Sequence, residues 1–219
     1  MTSASGTTAP VVRVRGEAIR RFAPDHAVLS VSAERSSATD RATALTQASA
    51  TAVAVRKALA DAPGVREVVL SRVAVRQATQ WNPKNQEQEH SGWLAWVGGH
   101  VTVDAAAAGD VAGVIATTEA DVSSVAWGLD DDGAAARRET RIAAVAAARE
   151  AAADFAEAVG RQLGELRLLA DSGLSGGAPP AVGFGLARAA ARATPAPELD
   201  LDPQPVEVSA VVEATYLLV

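Results

Sequence analysis

Three histidines, His26, His90 and His100, are the only imidazoles in the 219-residue chain, and no two of them lie at metal-ligand spacing. A zinc site needs three or four convergent ligands, and only His90 has acidic neighbours, Glu87 and Glu89. The reading is a solvated His90 and strand-borne His26 and His100, with no metal and no other cofactor. Asp130, Asp131 and Asp132 are carboxylates of the kind that hold hard divalent ions. They stand just before a long helical pattern, where capping and the helix dipole account for them without a ligand. Gly183 and Gly185 lack the preceding strand and the G-x-G-x-x-G spacing of a phosphate loop. No serine sits in a G-x-S-x-G elbow, and none of the 26 acidic residues forms a recognisable pair for glycoside chemistry. No catalytic residue is assigned, and the chain reads as a non-enzyme.

Aromatic residues are the more informative ones. Trp81, Trp93 and Trp96 fall together on a predicted hairpin over residues 65–103, beside its polar loop, in a chain that is only 4% aromatic. One reading is local packing through cross-strand aromatic pairs. The other is an exposed patch used for self-association or for holding a protein partner. Trp127 is assigned to the core, opposite the long helix.

Composition narrows the classes. The net charge of −6, from 26 acidic and 20 basic residues, argues against a general nucleic-acid surface. With no cysteine, disulfides, thiolate zinc sites and Cys nucleophiles are excluded. The opening MTSASGTTAP lacks the basic start and apolar core of a secretory signal. No apolar run approaches the ~20 residues needed to span a bilayer. The expectation is a soluble, cytoplasmic protein. Its hydrophobic fraction of 48% is ample for a core but rich in Ala, which contributes far less buried area per residue than Leu or Phe. The few large side chains, and a subunit interface, should matter disproportionately.

The elements that must position these residues follow from periodicity. Residues 1–9 read as a disordered tail and 10–219 as a single domain. Strands are predicted at 11–22 and 25–37, joined as a hairpin around Pro24-Asp25. A helix follows at about 40–61, capped by Thr39 or Asp40, with a stripe of Leu45, Ala48, Ala52, Val55 and Leu59. The second hairpin pairs 65–81 with 93–103 across a polar turn region at 82–92, and Gly98-Gly99 mark a bulge or close backbone approach. A short helix at 105–120 and a strand at 122–131 lead into the long helix. That helix should carry its buried stripe on Ile142, Val145, Ala152, Phe155 and Val159. Strands at 164–171 and 206–219 flank a Gly/Pro/Ala-rich loop at 173–205, which includes a short helical pattern at 181–193. The order is β-β-α-β-β-α-β-α-β-β. It predicts a two-layer α+β fold with a mostly antiparallel or mixed sheet and helices packed on one face.

This ordered series resembles the SIMPL-domain (DUF541) family. The likeness starts with Gly16-Glu17 and Pro24-Asp25-x-Ala27, and continues with Gly92-Trp93 where the family usually has Gly-Tyr. It is strongest in the Ala-rich helix ending in Gly160, Leu163 and Gly164, and it closes on the strand 206–219. The resemblance implies the α+β fold and assembly into large ring-like oligomers. It supplies no catalytic motif. The Trp cluster, the long loop and the low-bulk Ala core point to a non-enzymatic self-assembling or scaffold protein with the 65–103 hairpin and the 173–205 segment as contact elements. The alternative is an adaptor module that binds another protein, and a small-molecule enzyme is the third reading.

Overall fold

The computed structural model describes residues 9–171 and 201–219. The tail at 1–8, residues 172–200 with most of the long loop, the helical pattern at 181–193 and Gly183 and Gly185 lie outside them. The chain divides into two compact units. One comprises residues up to Phe22, Gly133–Thr194 and Glu207–Val219; the other comprises Ala23–Asp132 and Pro195–Val206. The element order is the predicted one: β1 (Val11–Phe22), β2 (His26–Ser37), α1 (Arg41–Leu59), β3 (Val65–Asn82), β4 (Glu87–Asp104), α2 (Ala108–Ala116), β5 (Asp121–Gly128), α3 (Ala134–Ala158), β6 (Leu163–Asp171) and β7 (Val206–Leu218).

The strands form two sheets, where the sequence reading expects one. In the larger unit the order is β3-β4-β2-β5, and every pairing is antiparallel. In the other it is β1-β7-β6, with β6 antiparallel to β7. The predicted β1–β2 hairpin is therefore corrected, because its two strands belong to different sheets. Pro24 has no N–H to close a hairpin turn. The Asp25 N–H donates instead to the Gly128 carbonyl at 2.9 Å, which starts β2 alongside β5.

The larger unit has a core of the familiar kind. Ala27, Leu29, Val31 and Ala33 alternate inward from β2, and Ala95, Val97, Val101 and Val103 do so from β4. They meet Ala48, Ala52, Val55 and Leu59 of α1, four of the five predicted stripe residues, with Ala44 rather than the half-buried Leu45 as the fifth, and Val111 and Ile115 of α2. Asp40 caps α1, accepting from the Thr43 N–H at 2.8 Å. Leu201 and Trp127 are half-buried against this same cluster. Trp127 thus packs against the core that α1 and α2 cover, whereas its predicted place is in the core that the long helix seals, a cluster of other residues.

The smaller unit is built differently. The buried residues of α3 are Ala136, Thr140, Ala144, Ala148, Ala152 and Ala156, one every four positions. Of the predicted stripe, Ala152 is buried and Val145 half-buried in this contact, whereas Ile142, Phe155 and Val159 are 58%, 59% and 62% exposed, so the stripe is corrected at those three positions. The reason lies in β1. Val12, Val14, Gly16 and Ala18 face the helix, and a methyl group at Gly16 would run into the backbone of Ala144 and Ala148. At that separation only small side chains fit between helix and strand.

Candidate functional site

The long hairpin is the most distinctive element. β2 pairs with β4 from His26 opposite Asp104 to Ser37 opposite Trp93, and there it stops. β3 and β4 continue together, from Ala78 opposite Gly92 to Asn82 opposite Glu87. Five pairs at ~3.3 Å each, with Ser91 as an extra residue on β4, carry this two-stranded arm about 17 Å past the last β2 pair. The region read as a polar turn at 82–92 is therefore mostly strand, and only residues 83–86 turn. Side chains lock that turn: Asn82 Oδ1 accepts from the Lys84 N–H at 2.9 Å. Asn82 and Asn85 both donate to Glu89 Oε1 at 2.9 Å. Residues 83–91 are exposed throughout.

The three hairpin tryptophans do not form one patch. Trp93 sits on the same face as Ala95 and Val97, half-buried against the core, with the His90 ring edge-on to it at 5.6 Å. Trp96 is on the opposite face, where its ring lies over Gly98. Strand alternation separates residues three apart onto opposite faces. Trp81, 57% exposed and opposite Gln88, is alone on the arm.

A second constellation joins residues that the sequence scatters. Arg66 Nε donates to Asp104 Oδ1 at 2.7 Å, Nη1 to Asp130 Oδ1 at 2.6 Å, and Nη2 to the Asp25 carbonyl at 3.1 Å. His26 Nδ1 is 3.1 Å from the same Asp130 oxygen, and Asp25 Oδ2 accepts from the Asp130 N–H at 2.9 Å. The Arg66 hydrogen bond, with a smaller contribution from His26, holds the Asp130 carboxyl below the ordinary carboxylate value. The bonds to Asp130 and then Asp104 raise Arg66 above its ordinary value. This clasp ties together the starts of β2 and β3 and the ends of β4 and β5.

It also corrects the capping role of the aspartates. The N-cap of α3 is Gly133, with no side-chain bond, and Asp131 and Asp132 hold left-handed φ angles of 50° and 52°. Asp130 is three residues too early to cap and is committed to Arg66. Among the described residues no group of three His, Asp or Glu side chains is placed to hold a metal. His90 and His100 are exposed, and neither joins the clasp.

A family model described as SIMPL, protein of unknown function (DUF541), matches residues 12–216. The chain belongs to the SIMPL (DUF541) family. None of the curated proteins matches it. The SIMPL match covers both units and both constellations. Pro24-Asp25-x-Ala27, part of the resemblance in sequence, now has a local reason: Asp25 anchors the clasp with its backbone and its carboxylate, while Ala27 is fully buried. No helix among the described residues of this SIMPL protein is long and apolar enough to cross a membrane.

Proposed function

We propose that this SIMPL protein is a non-enzymatic, self-assembling protein whose β3–β4 arm is the contact element. The observation that carries the reading is the arm itself. A two-stranded ribbon is marginal in water when it stands alone, and this one extends beyond the third strand with an exposed Trp81. Burying such a ribbon against another copy removes apolar surface from water and satisfies its outer backbone groups. The clasp is structural on this reading. Its Arg66 is taken up by two carboxylates and a carbonyl, which commits that guanidinium within the protein.

Light scattering coupled to size exclusion tests this. A mass of several chains that falls in Trp81→Ala is the expected result. A native protein that stays a single chain across the accessible concentration range overturns the reading.

A further inference from the structure

The outer face of the β3-β4-β2-β5 sheet, away from α1 and α2, holds a depression of about 680 Å³ that neither the arm nor the clasp explains. All four strands contribute to it: Ser30 and Ser32 from β2, Val69 and Ser71 from β3, Trp96 and His100 from β4, and Ser123 from β5. Its floor is made by irregular backbone. Ser30, Val31 and Ser32 stand opposite His100, Gly99 and Gly98. At this same level β3 slips register between Leu70 and Arg72, leaving Ser71 as the extra residue. On the other side β5 slips opposite Ser30 and Val31, leaving Ser123 as the extra residue. Two bulges on different strands thus meet at one level of the sheet, and each puts a serine there. Bulges bend the strand and re-aim side chains, and they concentrate beside functional sites.

The glycines complete the shape. Gly98 adds no side chain to the outer face and the Trp96 ring covers it, while a methyl at Gly99 would collide with the Val69 carbonyl. What remains is a concave bed with hydroxyls around it and an aromatic ring on one side. The volume lies within the ~300–1,000 Å³ of small-ligand sites.

The chemistry of the lining selects the ligand. His100 is the only ionisable side chain among the lining residues, in a chain of which 21% is charged. Among the described lining residues a phosphate or carboxylate would meet no lysine or arginine and a cation no carboxylate; Glu34 and Asp121, the cross-strand neighbours of Trp96 and Ser32, stand beyond the lining. The hydroxyls of Ser30, Ser32, Ser71 and Thr102 both donate and accept, Ser123 Oγ, which donates to the Ser30 carbonyl at 3.3 Å, still accepts, and Trp96 supplies an apolar surface. Groups that both donate and accept, beside one aromatic ring, match a neutral ligand with the same dual character and an apolar face. We infer that this bed is a binding site for a neutral, hydroxyl-rich ligand of the saccharide class. The inference stands apart from self-assembly, since no residue of the arm takes part.

Isothermal titration calorimetry on the full chain tests it, with maltotriose, cellotriose and chitotriose as neutral probes and glucuronate and glucosamine as charged ones. Saturable binding of a neutral probe is expected. Trp96→Ala and Ser71→Glu should each weaken it by about tenfold or more, the equivalent of losing one good contact. Trp81→Ala should leave it unchanged. Ser71 is exposed, so Ser71→Glu keeps the test valid if Trp96→Ala disturbs the sheet; circular dichroism and the unfolding midpoint verify the fold of each variant. The inference is overturned if none of the three neutral probes saturates the native protein. It is equally overturned if a correctly folded Ser71→Glu binds as the native protein does, or if the charged probes bind as tightly as the neutral ones.

Discussion

The two units bury their helices by opposite means. In the larger one, Leu29, Leu59, Ile115, Val55 and Val101 are fully buried, and two helices cover a four-stranded sheet. In the smaller one, the buried face of a 25-residue helix is made of alanines and Thr140, set against Gly16 of β1. A large-residue core draws its stability from area removed from water, so truncation should damage it most. An alanine interface contributes less area and depends on close approach, so enlargement should damage it most. The alanines recur every fourth residue, a row that inclines to the helix axis and lets the contact wind slowly around α3.

Substitutions can break this comparison, beginning with the largest effect. Leu29→Ala should destabilise the larger unit by about 2–5 kcal/mol through lost transfer energy and a residual cavity, read as a lower denaturant midpoint. Ala148→Leu or Ala152→Leu, adding volume where no space exists, should destabilise by about 1–3 kcal/mol. A neutral result there would mean that α3 is not seated on β1. A pH effect comes next. The Asp130 carboxyl is held below its ordinary value by Arg66, then by His26, so its contribution is present above about pH 4 and is lost as the pH falls through the lowered value. Asp130→Asn should therefore flatten the acid limb of the stability profile, and an unchanged limb would remove the clasp from the account. The smallest effect is expected at Ile142→Ser, within about 0.5 kcal/mol because the side chain is exposed.

The same contrast explains what could be read from the sequence. The α1 stripe is legible because Val55 and Leu59 are large, buried and helically spaced with Ala48 and Ala52. The α3 stripe is right at Val145 and Ala152 but misread at Ile142, Phe155 and Val159, because periodicity follows the large residues and here their size keeps those three out of the interface. The alanines carry no such mark, and their burial is set by Gly16, more than a hundred positions away. The element order is readable because turns and caps are local, as with Asp40 at the start of α1. The division of strands between two sheets depends on long-range pairing and leaves no local trace.

The candidate sites divide in the same way. Gly98-Gly99 signal a close backbone approach, and Gly99 makes one on Val69. The bulge at Ser71 lies opposite this pair, on the neighbouring strand, while the bulge at Ser123 has no glycine to announce it. The clasp joins His26 to Asp130 across 104 positions and Arg66 to Asp130 across 64, which no spacing rule links. The Trp cluster fails on strand alternation, because Trp93 and Trp96 are three residues apart and face opposite ways.

The arm is the part of the larger unit that its own core does not support, and removing it tests the functional reading most directly. Residues 79–91 can be replaced by Asn-Gly, a two-residue hairpin turn, which ends the hairpin one pair beyond the limit of β2. Light scattering and the unfolding midpoint would then be compared with those of the native protein. The account predicts a native assembly of several chains that becomes a single, equally stable chain once the arm is gone. An assembly of unchanged mass in the shortened protein would contradict it.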